Sequence, residues 1–162
     1  MAEKQYVVFV LGSEYYGLDI LSIQEITRYE APTRIPNMSS YMQGIINLRG
    51  NIIPVIDLRR KFNLGNSEVT GESRIIVLNL SEQKAGLLVD AVSQVTKIGD
   101  DQIEPPQMTT VEHKYIAGLA KKGEEIIILL EPAAILAEEQ EVKAGKLQSE
   151  NQGMKLSGIN NF

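Results

Sequence analysis

The chain has 162 residues, of which 43% are hydrophobic, and 16 Lys and Arg stand against 21 Asp and Glu for a formal net charge of −5. That length and apolar content suit one or two small folded units rather than a disordered chain. The negative balance, with Arg59-Arg60-Lys61 the one basic run, makes nucleic acid and anionic lipid poor partners. Cysteine is absent, which removes disulfides, thiol nucleophiles and cysteine-held metals. The longest apolar run, Tyr6–Leu11, is too short for a bilayer span or a signal-peptide core, so the expected location is cytoplasmic, without membrane insertion.

In chain order, Tyr6–Leu11 is a β-branched and aromatic run that predicts a strand partly buried on both faces. Gly12-Ser13-Glu14 supplies a turn and Tyr15–Asp19 a returning strand. Ile20, Ile23 and Ile26 then recur every three residues, which fits a helical turn better than a strand, with an extended Ile23–Tyr29 as the other reading. Ala31–Pro36 is a loop whose prolines hold the residues before them extended. Asn37–Gln43, with Ser39 as N-cap, predicts a short helix. The apolar runs Gly44–Leu48 and Asn51–Leu58 flank Arg49-Gly50 and predict a β-hairpin in which Gly50 takes φ > 0. Pro54 cannot donate to a ladder, so its strand is expected at an edge or a bulge. Leu58–Phe62 predicts one or two helical turns, and polar Asn63–Glu72 a linker.

The second half repeats the first. At an offset of 69, Arg74–Ile98 aligns with Gln5–Tyr29, setting Val77 on Val8, Leu80 on Leu11 and Gly86 on Gly17. The same offset sets Val89, Val92 and Val95 on Ile20, Ile23 and Ile26. At 73 or 74, Gly118–Pro132 echoes Gly44–Leu58, with Gly123 on Gly50. Pro132–Ala137 closes the second copy as Leu58–Phe62 closes the first, Pro132 standing at a first helical position. Two similar units of about five short strands each are therefore expected, and short strands close into small barrels more readily than they tolerate open edges. Each alone would bury a marginal core, so the two should pack together. Beyond Glu138 the pattern dissolves into polar residues, which predicts a flexible tail after the last helix.

Chemistry has little to work with. The single histidine, His113, lies in the polar stretch Glu112–Tyr115, and no nucleophile elbow, P-loop or dinucleotide fingerprint occurs. Asp100-Asp101 and Glu124-Glu125 read as solvated turn carboxylates. Asp19, Asp57 and Asp90 each come at the end of an apolar run and read as strand ends that cap the next segment. No catalytic or metal-binding residue and no cofactor is expected; a small β-barrel enzyme or ligand-binding protein is the weaker alternative.

The stretch Gly44-x-x-Asn47-Leu48-Arg49-Gly50-x-Ile52-x-Pro54-Val55-x-Asp57-Leu58-Arg59 resembles the signature of the CheW family, the adaptors of bacterial chemotaxis. Tyr16–Ile20, Ile23–Ile26, Thr33–Pro36 and Gly86–Val92 are similar to the family pattern in the family's order. The resemblance covers roughly residues 5–138. It implies a mostly β protein of two SH3-like five-stranded β-barrels packed side by side, at about 12–70 and 71–138, with short helices, an N-terminal strand open to exchange, and 139–162 as a polar tail with a C-terminal helix. It implies a scaffold coupling chemoreceptors (methyl-accepting chemotaxis proteins) to the chemotaxis histidine kinase in a two-component signalling array, the chain being a monomer when alone. A receptor- or system-specific paralogue is the alternative role. By the same carry-over Ile20, Ile23, Ile26 and Val92 line a groove for the receptor's cytoplasmic tip. Gly44, Asn47, Arg49, Gly50 and Asn51 dock on the kinase regulatory domain, and Glu25 and Arg49 form an ion pair.

Overall fold

The computed structural model describes residues 2–106 and 114–137; His113 and the tail from 138 onward, with the expectations placed on them, lie outside. Among the described residues, those up to Pro132 form one compact unit, and Ala133 onward is divided from it. A helical segment covers 132–137, with Pro132 at its first position.

The larger unit is built almost wholly of strands: β1 (Glu3–Leu11), β2 (Glu14–Asp19), β3 (Ile23–Arg28), β4 (Met42–Leu48), β5 (Asn51–Asp57), β6 (Arg74–Leu80), β7 (Gln83–Val89), β8 (Ala91–Gly99), β9 (Ile103–Glu104), β10 (Ile116–Lys122) and β11 (Glu125–Leu130). One helix, α1 (Leu58–Lys61), comes directly after β5. No helix forms over residues 37–43: turns cover 36–37 and 40–41, Met42 N–H donates to the Ser39 carbonyl at 3.0 Å, and Met42 and Gln43 already belong to β4.

The strands make two sheets, ordered β3-β6-β7-β5-β4 and β8-β1-β2-β11-β10-β9. The second has six strands rather than five, the extra one being the two-residue β9. Neither sheet respects the expected division at residue 70. The β1–β2 hairpin of the first repeat joins β8 to β11 of the second, and the β6–β7 hairpin of the second joins β3 to β5 of the first. The two repeats thus exchange their leading hairpins reciprocally.

Each sheet surrounds its own apolar cluster. Ile46, Ile53, Val55, Ile75, Val77 and Leu88 pack with Tyr29 and Leu48 in one. Tyr6, Val8, Ile98, Ala120, Ile127 and Leu129 pack with Tyr15 and Ile103 in the other. Because side chains alternate along a strand, Val7, Phe9 and Leu11 of β1, and Ile76 and Leu78 of β6, point to the opposite faces. They are buried there too, where β1 approaches β7 and the sheets share a seam.

The equivalence of the repeats extends to detail. Gly17 and Gly86 occupy the two parallel junctions, opposite Leu129 and Val55 respectively. A Cβ on either would press within 3 Å of a branched side chain, Leu129 or Ile75. The Asp57 N–H donates to the Tyr41 carbonyl and the Glu131 N–H to the Tyr115 carbonyl, each at 2.8 Å, at a constant offset of 74. Pro54 lies in β5, an interior strand rather than an edge. The ladder from β5 to β7 begins only at Val55, so at Pro54 the strand is flanked by β4 alone.

Candidate functional site

The period of three in Ile20, Ile23 and Ile26 has a cause other than a helix. Asp19 caps a 3-10 turn at Ile20–Ser22, its carboxylate accepting from Leu21 N–H at 2.9 Å, and β3 begins at once. A bulge in β3 sets Ile23 opposite Leu78, Glu25 opposite Val77 and Ile26 opposite Ile76. One extra residue inserted between Ile23 and Ile26 brings both onto the face shared with Leu78 and Ile76. The second repeat does the same in β8, where a bulge sets Val92 opposite Phe9 and Val95 opposite Val7. The same-face neighbours are those of the seam, and β3 and β8 are the edge strands of their sheets.

Four expected groove residues therefore share one kind of surface. Ile20, Ile23 and Val92 are half-buried and Ile26 is exposed. The turn that carries Ile20 touches both β1 and β6, one strand from each sheet. Two residues extend this surface beyond the sequence expectation: Val95, whose signal was its equivalence to Ile26, and Leu21, 86% exposed, which the helical reading of Ile20–Ile26 concealed.

The β4–β5 hairpin forms a second, separate feature. Arg49 and Gly50 both have positive φ, 53° and 88°, the requirement of the tight hairpin turn whose twist matches its strands. The Asn47 side chain accepts from Gly50 N–H at 2.9 Å, closing the turn. Arg49 is largely offered to solvent, and its Nη2 lies 3.4 Å from Glu25 Oε1. Glu25 itself is held on the inner face of β3. Asn51 and its neighbour Ile52 are exposed beside the turn. Gly44 does not belong to this surface. It is buried, with φ 141° and the Thr33 carbonyl where a Cβ would stand. Its position serves the bulge between Met42 and Gly44 in β4.

The three aspartates divide their tasks. Asp57, buried, caps α1 by accepting from Arg59 and Arg60 N–H, and holds Ser67 of the linker. Asp90, at the crossover from β7 to β8, accepts from Arg59 Nη2 at 2.7 Å, from Arg59 Nε at 3.0 Å and from Gly12 N–H at 2.8 Å. The hydrogen bond to Asp90 raises the Arg59 pKa above its ordinary value, against a smaller lowering by burial. This half-buried cluster joins α1, the β1–β2 turn and the β7–β8 crossover, and so ties the two sheets. A chain of rings does likewise: Phe9 to Tyr16 at 5.8 Å, Tyr16 to Phe62 at 6.0 Å and Phe62 to Tyr115 at 5.4 Å between centroids. Lys61 Nζ sits 4.0 Å from the centre of the Tyr41 ring and 5.6 Å from that of Tyr115, the two tyrosines being repeat equivalents.

Among the described residues no group of three or more His, Cys, Asp and Glu side chains is placed to hold a metal ion, and no helix is long and apolar enough to cross a membrane. The geometry is that of surfaces: apolar faces on the edge strands β3 and β8, and a charged hairpin tip.

Residues 5–140 match the family model of the CheW-like domain. The chain is 39% identical to the chemotaxis protein CheW of Klebsiella aerogenes over 85% of its own length and 84% of the relative's. It is 29% identical to the chemotaxis protein CheW of Bacillus subtilis over 87% and 92%. Among solved structures, the scaffolding protein TtCheW from Thermoanaerobacter tengcongensis superposes with a TM-score of 0.75 at 43% identity, covering 81% of this chain and 86% of that one. With matching motifs, a matching two-sheet architecture and relatives of this similarity over most of their length, the chain belongs to the CheW-like domain family.

Proposed function

We propose that this protein is a non-catalytic scaffold of bacterial chemotaxis that couples the cytoplasmic tips of chemoreceptors to the regulatory domain of the chemotaxis histidine kinase. It acts in the cytoplasm, as a monomer when free and as one element of a receptor array when assembled. The receptor helices lie along the apolar edge made by Ile20, Ile23, Ile26 and Val92, a helix-in-groove mode. The kinase docks at the β4–β5 tip around Asn47, Arg49, Gly50 and Asn51. The names of the relatives support the chemotaxis assignment, and the presence of two surfaces of unlike chemistry, one apolar and one charged, on one compact unit supports the coupling role.

The observation that carries this reading is Arg49. An arginine in left-handed backbone costs about 1–2 kcal/mol relative to an ordinary conformation, and its exposed ion pair with Glu25 returns only about 0.2–1 kcal/mol. A residue held at such a cost on an exposed tip is kept for what its side chain meets outside the molecule.

The test is a binding comparison on Ile23→Asp and Val92→Asp, with melting temperature measured alongside. A carboxylate buried beneath a docked helix costs a few kcal/mol, enough to weaken binding of a receptor-tip fragment about a hundredfold, while binding of the kinase regulatory domain stays within about twofold. Loss of both interactions together with a collapsed melting temperature would place these side chains in the core and sink the groove.

A further inference from the structure

Arg28 stands directly opposite Arg74 in the β3–β6 ladder. Like charges at directly opposed positions of an antiparallel pair are destabilising, and the chain as a whole is negative, so carboxylates are plentiful elsewhere. Yet among the described residues no ion pair involves either arginine, and the Arg28 guanidinium donates no hydrogen bond to any of them. Arg74 Nη1 is turned onto the Gly71 and Ser73 carbonyls at 2.9 and 2.8 Å, which holds that guanidinium in place.

Three further features give the pair a setting. Arg28 lies two residues beyond Ile26 on the same side of β3, so it ends the apolar face that the bulge creates; at about 3.3 Å per residue the two are about 7 Å apart along the strand. Both arginines line a cavity of about 470 Å³ with Tyr29, Val69, Thr70 and Ser73, Val69 being 48% exposed. The other repeat places Gln5 opposite Lys97 at the equivalent position, so the scaffold itself has no need of two cations there.

We propose that Arg28 and Arg74 form a carboxylate-docking point at the end of the β3 groove. Its ligand is an Asp or Glu side chain on the helical protein segment that covers Ile26. A carboxylate is the group that relieves the repulsion, since it accepts from both guanidinium groups at once. The 7 Å offset corresponds to one turn of a docked helix, whose residues at i and i+4 are about 6 Å apart. The partner therefore carries its acid three or four positions from the apolar residue that meets Ile26. This inference rests on the proposed receptor groove and adds its charge specificity.

The experiment measures affinity of the full chain for a chemoreceptor tip fragment at several salt concentrations, for the wild type, Arg28→Glu and Arg28→Lys, with melting temperatures and kinase-domain binding in parallel. Arg28→Glu should weaken tip binding at least tenfold, equivalent to about 1.4 kcal/mol, and flatten its salt dependence. Arg28→Lys should retain most of the affinity. Kinase binding should not change, and the melting temperature of Arg28→Glu should hold or rise, because the like-charge pair is gone. Reversing the receptor's acid one turn from its apolar anchor should restore binding to Arg28→Glu. Wild-type affinity and salt slope in Arg28→Glu would overturn the docking point while leaving the groove intact. A wild-type chain that does not bind the tip fragment at all would overturn both.

Discussion

Removing the charge of Asp90 should loosen the joint between the two sheets, and its contacts set the size of the effect. The carboxylate takes three donors: Arg59 Nη2 at 2.7 Å, Arg59 Nε at 3.0 Å and Gly12 N–H at 2.8 Å. Asp90→Asn keeps the shape but turns one acceptor oxygen into an amide donor, which then faces either Arg59 or Gly12 with no acceptor between them. Hydrogen bonds to charged groups contribute about 1.5–3 kcal/mol net. The Arg59 and Asp90 side chains keep 26% and 22% of their exposure, so water replaces part of the loss and the lower half of that range applies, about 1.5–2 kcal/mol. For a unit of this size the melting temperature should fall by roughly 5–10 °C. Thermal denaturation tracked by circular dichroism gives the number, and a cycle with Arg59→Gln gives the coupling. The double variant should be little worse than either single one, since both remove the same joint. A shift under about 2 °C, or strictly additive losses, would refute a role for the cluster in holding the sheets.

Three other outcomes are expected. Gly44→Ala should cost about 2–4 kcal/mol in urea denaturation, since a Cβ there meets the Thr33 carbonyl and the backbone is left-handed; an unchanged midpoint would mean β4 can shift freely. Arg49→Asp should weaken assembly with receptor and kinase fragments while leaving the melting temperature within about 2 °C, as an exposed pair contributes under about 1 kcal/mol. Combining it with Glu25→Arg should recover part of the binding, and independent effects would separate the two residues. The Tyr16 pKa is raised, mainly by burial and secondarily by Glu14. The folded state therefore resists losing that proton, and stability should be flat below the ordinary phenol range and fall as pH rises through it. Tyr16→Phe should lessen that alkaline fall, and an identical slope in the two proteins would assign it to other groups.

Much of the fold was legible because the repeat was legible. Offsets of 69 and of 73 or 74, read from glycines and apolar residues, correspond to β1 with β6, β2 with β7, β3 with β8 and the β4–β5 hairpin with β10–β11, the ladders fixing the last at 74 and so setting Gly123 on Arg49 rather than on Gly50. Chain order hid which repeat supplies which strand to which sheet. A hairpin such as Glu3–Asp19 has the same alternation whether it pairs with its own repeat or its neighbour's, and only the long-range ladders, β1 with β8 and β2 with β11, decide it. The bulges in β3 and β8 were hidden for a related reason. An extra residue converts a spacing of two into three, which in a short segment is indistinguishable from a helical turn. At the site, the proximity of Glu25 and Arg49 came from resemblance, not from any feature of spacing. The bond from Arg59 to Asp90 had no local signal, since it joins residues 31 apart in sequence.

The repeat also isolates what is not symmetric. Aligned by the offset of 69, the expectation for the hairpins would drift by several residues; by 74, which the bulges at Met42/Gly44 and Ile116/Gly118 fix, the partner of Arg49 is Gly123. Gly123 has φ 64° and carries left-handed backbone without a Cβ penalty. The first hairpin makes the same demand of its backbone at that position, φ 53°, yet places an arginine there. Folding alone would favour glycine at both, so the difference between the tips is not a requirement of the scaffold. The same logic applies to Arg28 opposite Arg74, where the other repeat has Gln5 opposite Lys97. In each case one copy keeps the arrangement that suits folding and the other departs from it with an exposed arginine. Two copies of one scaffold, built with the same bulges and crossovers, thus become two unlike faces through a few side chains that the fold neither needs nor rewards, and that inequality is what the proposed coupling of two different partners would require.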